Sequence, residues 1–167
     1  EQPVAEAGPA TASVCGLTYN FAATLDLAGS TGLWTLETAG PGTPSFTNDD
    51  KANGSVTVDE YGQYVFRWTE TNGSCSDFDL ITVDFYEQPT AVIATAGPVD
   101  ECDLDVDLLA TGHTYAAAPS VNSGTTQWTY SGPGVVTWAG GDDTAADQTG
   151  LSVDTYGTYV FTWTEDN

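Results

Sequence analysis

The sequence predicts an all-β protein of two tandem antiparallel β-sandwiches, the second of which lacks its final strand. Segments rich in Val, Thr, Tyr, Phe and Trp recur about every ten residues between Gly and Pro turns, and none carries the apolar period of a helix. The run VDEYGQYVFRWTE at residues 58–70 returns as VDTYGTYVFTWTE at 153–165, with ten of thirteen positions identical. These observations indicate one β-rich unit that is present twice.

The likeness extends well upstream of the repeated run. A Trp precedes a Gly-Pro-Gly turn in each, in LWTLETAGPG and QWTYSGPG, and Glu-Gln-Pro opens each unit ahead of a cysteine. We therefore expect one domain over residues 1–87 and a second over residues 88–167.

The repeated run alternates aromatic and polar residues, which is typical of a strand with one face in the core. The predicted core consists of these aromatics and of one Trp on a facing strand of each unit: Trp34, Tyr64, Phe66, Trp68, Trp128, Tyr159, Phe161 and Trp163. Each contributes about 1.5–3 kcal/mol when fully buried, a large share for domains of this size.

The pattern Asp-x-Tyr-Gly-x-Tyr begins the repeated strand, at residues 59–64 and 154–159. It is similar to the tyrosine corner of immunoglobulin-like sandwiches, in which a Tyr at the start of strand F bonds back to the upstream backbone. The pattern therefore predicts such a corner within residues 59–64 and within residues 154–159.

The chain has three cysteines, Cys15, Cys75 and Cys102, with no Cys-x-x-Cys pair and only His113 as an imidazole. An ordinary zinc site needs four Cys or His ligands and is therefore excluded. We expect a disulfide between two of the three, with Cys15 and Cys75 joining the first loop of unit one to its last hairpin. Closing this 60-residue loop contributes about 4 kcal/mol in the chain-entropy model, and a disulfide implies an extracellular compartment. Cys102 has no partner within this segment.

The charge is strongly negative, because 24 Asp and Glu residues stand against Lys51 and Arg67, for a net charge of −22. Nucleic acids and anionic lipid heads attract proteins through Lys and Arg, so binding to either is excluded. No apolar run approaches the roughly 20 residues that span a bilayer, and we expect no membrane insertion.

Three groups of residues are candidates for a functional site, and each has a structural alternative. Asp103, Asp105 and Asp107 share one face of a predicted strand and are candidates for Ca²⁺; the alternative is a solvated strand exterior. His113 lacks a nucleophile motif and is expected in a loop, and we predict no catalytic residues and no other cofactor. The aromatics Trp138, Trp128, Tyr130 and Tyr115 would suit a sugar-stacking platform. Core packing is the alternative, since Trp138 takes the place of Phe46 in the repeat.

The combined pattern Gly-x-Trp, Gly-Pro-Gly, Val-x-x-Tyr-Gly-x-Tyr-x-Phe-x-Trp-Thr-Glu-x-Asn-Gly-x-Cys, followed by Glu-Gln-Pro, resembles a known family. It is similar to the immunoglobulin-like or PKD-like tandem repeats of giant bacterial surface adhesins and gliding-motility filament proteins, which the type IX secretion system exports. The resemblance implies PKD-like sandwiches in an extracellular, disulfide-stapled spacer or filament unit, with further copies of the repeat as partners. Its alternative is a carbohydrate-binding module of a secreted multidomain enzyme, with surface glycans as ligands. Thr144, in Asp-Thr-Ala, is a candidate for O-linked sugar in such bacteria.

The two copies differ after the repeated strand. The first continues through Cys75 into FDLITVDFYEQP, whereas the second ends at Asn167. We expect that the natural chain continues, or that a neighbouring subunit donates the missing strand to the open edge.

Overall fold

The computed structural model of the chain describes residues 1–95, 97–115 and 124–167. Its regular structure in these ranges consists of strands and one short 3-10 turn at Ala139–Gly141. The chain divides into two compact units, the first containing Glu1–Glu87 and the second containing Gln88–Tyr115 with residues 124–167. Within these ranges, no helix has the length and apolar character needed to cross a membrane.

The first unit is a sandwich of two sheets. Its strands are β1 (Thr11–Cys15), β2 (Thr18–Asn20), β3 (Thr31–Thr38), β4 (Pro44–Thr47), β5 (Ser55–Val58), β6 (Gly62–Asn72) and β7 (Cys75–Tyr86). One sheet has the order β1-β7-β6-β3 and the other has the order β2-β5-β4. With β2 to β7 read as strands B to G, these are the B-E-D and C-F-G groupings of an immunoglobulin-type sandwich. The first strand, β1, pairs with β7 in parallel.

The core of the first unit lies between its sheets and follows the predicted alternation. Tyr64, Phe66 and Trp68 on β6 are buried, and Val56 and Val58 face them from the other sheet. These three positions are aromatic in both copies of the run, and the three positions that differ between the copies are all polar.

The predicted tyrosine corner is present in both units. The hydroxyl of Tyr64 donates to the carbonyl oxygen of Glu60 at 2.8 Å, and the hydroxyl of Tyr159 donates to that of Thr155 at the same distance. The amide of Gly42 in the Gly-Pro-Gly turn donates to the Tyr64 oxygen at 2.9 Å. In the first unit, the Gly-Pro-Gly turn and the tyrosine corner are therefore joined by a hydrogen bond.

The second unit has strands β8 (Val92–Ile93), β9 (Asp105–Thr111), β10 (Thr125–Ser131), β11 (Val136–Thr137), β12 (Asp147–Val153) and β13 (Val160–Asp166). One sheet has the order β11-β12-β9-β8, and the other contains only β10 and β13 among the described residues. These two correspond to β3 and β6 of the first unit, because Trp128 pairs with Trp163 as Trp34 pairs with Trp68. The order of these strands matches the first unit, but no described strand takes the place of β7 or of β1, and β8 extends the sheet that corresponds to β2-β5-β4.

The predicted disulfide between Cys15 and Cys75 is wrong for a bridge within one chain. Both thiols are free, as is Cys102. Cys15 pairs with Tyr86 at the end of β7, whereas Cys75 is the first residue of that strand. At roughly 3.3 Å per residue, these positions lie about 36 Å apart, and a disulfide needs Cα atoms within about 7 Å. The parallel pairing of β1 carries Cys15 to the end of β7 opposite the hairpin.

Candidate functional site

The second unit contains a cavity of about 450 Å³ that opens beside β13. Its floor is apolar and comes from three strands and the segment before β9: Leu104, Val106, Leu108, Trp128 and Val153. A volume in the ~300–1,000 Å³ range is typical of a binding site.

Two extended segments form the walls of this cavity. Val99, Glu101 and Asp103 line one side, and Gly157, Tyr159 and Phe161 line the other. These lining residues alternate along each segment, as in extended backbone, and Tyr156 lines the second side as well. We call the space between the two segments the groove.

Backbone hydrogen bonds establish which residues of the two units are equivalent. The amide of Val58 donates to the carbonyl of Leu17 at 2.9 Å, and the amide of Val153 donates to that of Leu104 at 2.8 Å. Leu104 and Val153 on the floor therefore correspond to Leu17 and Val58 of the first unit.

In the first unit, β7 occupies the place that corresponds to the groove. Its residues Ile81, Val83 and Phe85 are buried, and they lie opposite Phe66, Tyr64 and Gly62 of β6. The Phe85 ring meets the Tyr64 ring edge-on, with centroids 5.5 Å apart. The cavity of the second unit is thus the volume that β7 side chains fill in the first.

The predicted core residues reflect this difference. Trp34, Tyr64, Phe66, Trp68, Trp128 and Trp163 are buried. Tyr159 and Phe161 are only partly buried, although their counterparts in the first unit are fully enclosed. Nearby on the same segment, Tyr156 is 68% exposed and Val160 is 60% exposed. The cause is the empty edge of β13, since no described strand covers these side chains.

A buried carboxylate that the sequence analysis missed supports the loop after β2 in the first unit. Glu70 accepts hydrogen bonds from the amides of Asp26 at 3.0 Å and Leu27 at 3.1 Å, and from the hydroxyl of Ser30. Burial raises the pKa of Glu70, but the hydrogen bonds from Asp26, Ser30 and Leu27 outweigh it and hold the pKa below its ordinary value. The only signal in the sequence was the Glu that ends both copies of the repeated run.

The equivalent residue of the second unit makes the same kind of contact. Glu165 accepts hydrogen bonds from the amide of His113 at 3.0 Å and from the indole nitrogen of Trp163 at 2.7 Å. His113 lies between β9 and β10, as the sequence analysis expected of a loop residue. Both carboxylates therefore hold a loop in place.

The structure does not bring the predicted calcium ligands together. Asp103 accepts a hydrogen bond from the amide of Asp105 at 3.2 Å, and Asp107 accepts one from the amide of Gly150 at 2.7 Å. In the described ranges, no group of three or more His, Cys, Asp or Glu side chains is placed to hold a metal ion. Asp105 and Asp107 occupy the exposed face of β9, the alternative given above.

The aromatic residues considered for sugar stacking do not share an exposed face. Trp128 is buried, and Trp138 is partly buried, with its ring edge-on to Phe161 at 6.1 Å and to Tyr130 at 6.0 Å. Tyr115 packs beside His113 at 4.8 Å. Trp138 therefore takes the packing role that its match with Phe46 predicted.

The candidate glycosylation residue, Thr144, is exposed. Its hydroxyl donates to a carboxylate oxygen of Asp142 at 2.6 Å, and its amide donates to the same oxygen at 2.9 Å. These hydrogen bonds lower the pKa of Asp142. Attachment of a sugar at Thr144 stays a prediction.

Both cationic side chains are already paired. Lys51 lies 2.6 Å from the Asp50 carboxylate. Arg67 lies 2.7 Å from the Glu37 carboxylate and stacks on the Phe78 ring at 4.1 Å. The remaining surface charge is acidic, which disfavours polyanionic partners.

No protein-family model and no curated protein matches this chain. Among solved structures, the chain is similar to bovine butyrophilin at 12% identity and a TM-score of 0.36, over 99% of this chain and 86% of the butyrophilin chain. A likeness this weak carries no argument about fold or function. The description of a β-sandwich rests on the strand order and the shared cores given above.

Proposed function

We propose that this chain is a load-bearing spacer of an extracellular bacterial surface fibre or adhesin, with further copies of the repeat as its neighbours. The sandwich fold is that of a structural or binding module, and the resemblance of the sequence to bacterial surface repeats supports the cellular setting. The observation that carries the proposal is the parallel pairing of β1 with β7 in the first unit.

Parallel pairing of the first and last strands determines how the first unit resists tension. Thr11 pairs with Thr82, and Cys15 pairs with Tyr86, so the chain enters at one end of the pair and leaves at the other. Tension applied through the chain pulls the two strands along each other, and all hydrogen bonds between them share the load. A hairpin pulled open from its end would lose its bonds one at a time. The bridge between Glu6 and Thr24 lies outside this pair.

The charge of the chain supports the same role. The excess of carboxylates, with both cations paired, makes neighbouring copies repel one another and keeps crowded fibres apart. This effect is screened by salt, with a Debye length of about 8 Å at physiological ionic strength.

We infer no catalysis by this chain. A general acid needs a carboxyl with a raised pKa and access to a substrate. Glu70 is the one buried carboxyl among the described residues, its pKa is lowered, and it faces backbone amides. The disulfide in the original hypothesis is not part of the proposal, because the cysteines lie too far apart.

Single-molecule pulling of the full chain between two handle domains tests the proposal. The first unit should unfold in one step, and its 87 residues should then have a contour length of about 300 Å, at ~3.3–3.6 Å per residue. The amide of Gly16 donates to Tyr86, and donors alternate along a strand, so the amide of Ala12 faces β7 while that of Ser13 faces away.

Ala12→Pro should therefore remove one shared hydrogen bond, and Ser13→Pro is its matched control. If the lost hydrogen bond contributes ~1 kcal/mol to the unfolding barrier, Ala12→Pro should unfold about fivefold faster at fixed force. Ser13→Pro should change the unfolding rate little. Equal behaviour of the two variants, or unfolding of the wild-type unit without a force peak, would argue against a load-bearing role.

A further inference from the structure

We propose that the groove of the second unit binds one extended strand of the β7 type, antiparallel to β13 and donated by a neighbouring repeat. The geometry of the second unit, compared with that of the first, supports the binding site. That the donor is a neighbouring repeat rests on the proposed function.

The open edge of β13 presents backbone groups toward the groove. The amide of Trp128 donates to the carbonyl of Asp143 at 2.7 Å, which is away from β13. Trp128 and Trp163 are therefore a pair that exchanges no backbone hydrogen bonds, and the backbone groups of Trp163 face the opposite edge. By alternation, those of Phe161 and Glu165 face the same edge, where no described strand lies.

β6 and β13 begin at different places relative to the strands that they pair with. In the first unit β6 begins at Gly62, and its first three residues pair with β7 but not with β3. In the second unit β13 begins at Val160, where pairing with β10 begins. The residues equivalent to Gly62–Tyr64 thus lack a ladder because no strand occupies the groove.

The other wall of the groove shows the same change. In the first unit, Thr11–Cys15 is a strand because it pairs with β7 in parallel. Cys102 corresponds to Cys15 in the repeat, and residues 98–102 form no strand. A single strand placed between the two walls would pair with each of them, as β7 pairs with β1 and β6. The lack of such a strand therefore accounts for the missing strand structure in both walls. A small apolar ligand would fill the cavity without satisfying either backbone edge.

The side chains around the groove define the chemistry of the occupant. The floor and the rings of Tyr159 and Phe161 require apolar residues at three alternate positions, the pattern of Ile81, Val83 and Phe85. The wall differs from the first unit in charge. It carries Glu101 and Asp103 at the positions of Val14 and Gly16.

In the first unit, Val14 and Gly16 lie beside the end of β7, because Val14 pairs with Phe85 and Gly16 bonds to Tyr86. The two added carboxylates would therefore face the end of a bound strand. A basic residue there, just beyond the position of Tyr86, is favoured over an acidic one.

A synthetic peptide of residues 75–89 with Cys75→Ser, titrated into the full chain, tests the proposal. We expect saturable one-to-one binding and at least tenfold slower hydrogen exchange at the amides of Phe161, Trp163 and Glu165. The amides of Thr162 and Thr164 face β10 and should change little. Protection from hydrogen exchange at alternate residues indicates addition of a strand. General stabilisation of the unit would instead slow exchange at all of these amides.

Two peptide variants supply matched controls. Val83→Asp places a charge against the apolar floor and should weaken binding at least tenfold. Glu87→Lys should bind more tightly than the native peptide at low salt, and the difference should shrink as salt is added. A chain that carries residues 75–89 fused after Asn167 through a flexible linker should show the same protection and should no longer bind the peptide.

Three results would overturn the proposal. The first is the absence of binding at millimolar peptide with exchange unchanged. The second is equal binding of the native and Val83→Asp peptides. The third is a concentration-dependent dimer that protects Phe161 and Trp163 without peptide, because a second copy of the chain would then be the occupant. The pulling experiment concerns the first unit, so its outcome is independent of these.

Discussion

Replacement of Glu70 by Gln should destabilise the first unit at neutral pH and remove part of its sensitivity to acid. The side chain is fully enclosed, and its oxygens accept from two backbone amides and one hydroxyl. In Gln, one oxygen becomes an NH₂ group, and with the other oxygen kept toward Leu27 this NH₂ faces the amide of Asp26. Two donors then oppose each other in a buried site.

The magnitude follows from the bonds that are lost. A hydrogen bond to a charged group contributes about 1.5–3 kcal/mol, and a buried donor left unsatisfied costs about 1–3 kcal/mol. Glu70→Gln keeps the bonds to one oxygen and loses the charge and one acceptor, so we expect a loss of roughly 2–4 kcal/mol. Against a typical stability of about 5–15 kcal/mol, this is a large fraction.

The pH dependence has a definite sign. The pKa of Glu70 is lower in the folded unit than its ordinary value, which is about 4.3 in an unfolded chain. The carboxylate therefore contributes its full stability above that unfolded value and loses it as the pH falls through the lower folded pKa. The difference in unfolding free energy between wild type and Glu70→Gln should be constant from neutral pH to about 5 and should narrow in stronger acid.

Urea unfolding of the full chain, followed by the amide signals of Leu27 and Phe66, reports on the first unit. Glu60→Gln is the control, because Glu60 is exposed and its substitution should change stability by less than about 0.5 kcal/mol. If Glu70→Gln matched this control, or if its deficit were the same at pH 3 and pH 7, the role assigned to the buried carboxylate would be incorrect.

Two further predictions concern the tyrosine corners and the thiols. Tyr64→Phe should lower the free energy of unfolding by about 1–2 kcal/mol, because it removes the hydrogen bond to Glu60 in a buried site. Tyr159→Phe should lower it by less, since water reaches the partly exposed ring. Equal losses of stability in urea unfolding would contradict this. All three thiols should accept an alkylating agent under non-reducing conditions, which intact mass will show as three adducts; a species two mass units lighter with one adduct would restore a disulfide.

The features that sequence reasoning recovered are local or periodic. Alternation along a strand requires only neighbouring residues, so the buried Phe66 and Trp68 could be read from the repeated run. The tyrosine corner spans five residues, from Glu60 to Tyr64, and its hydrogen bond closes within that span. The duplication could be recognised without the structure, because the two copies are similar in sequence.

The features that required the tertiary structure depend on which strands become neighbours. Cys15 and Cys75 suggested a disulfide until the parallel register of β1 placed them at opposite ends of β7. The burial of Glu70 was equally hidden, because its partners, such as Asp26, lie more than 40 residues away in the chain. The groove became visible only when the cavity of one unit was compared with the filled core of the other.

The sequence by itself thus determined the strands, their inward faces and the corner that begins the repeated strand, because each depends on contacts within a few residues. Only the tertiary structure decided the β1–β7 register, the separation of the cysteines and the partial exposure of Tyr159 and Phe161. Alternative pairings between distant strands have similar loop-closure entropies, because this entropy changes only slowly with loop length. The choice is made by packing of the whole unit, which a pattern along one strand does not contain.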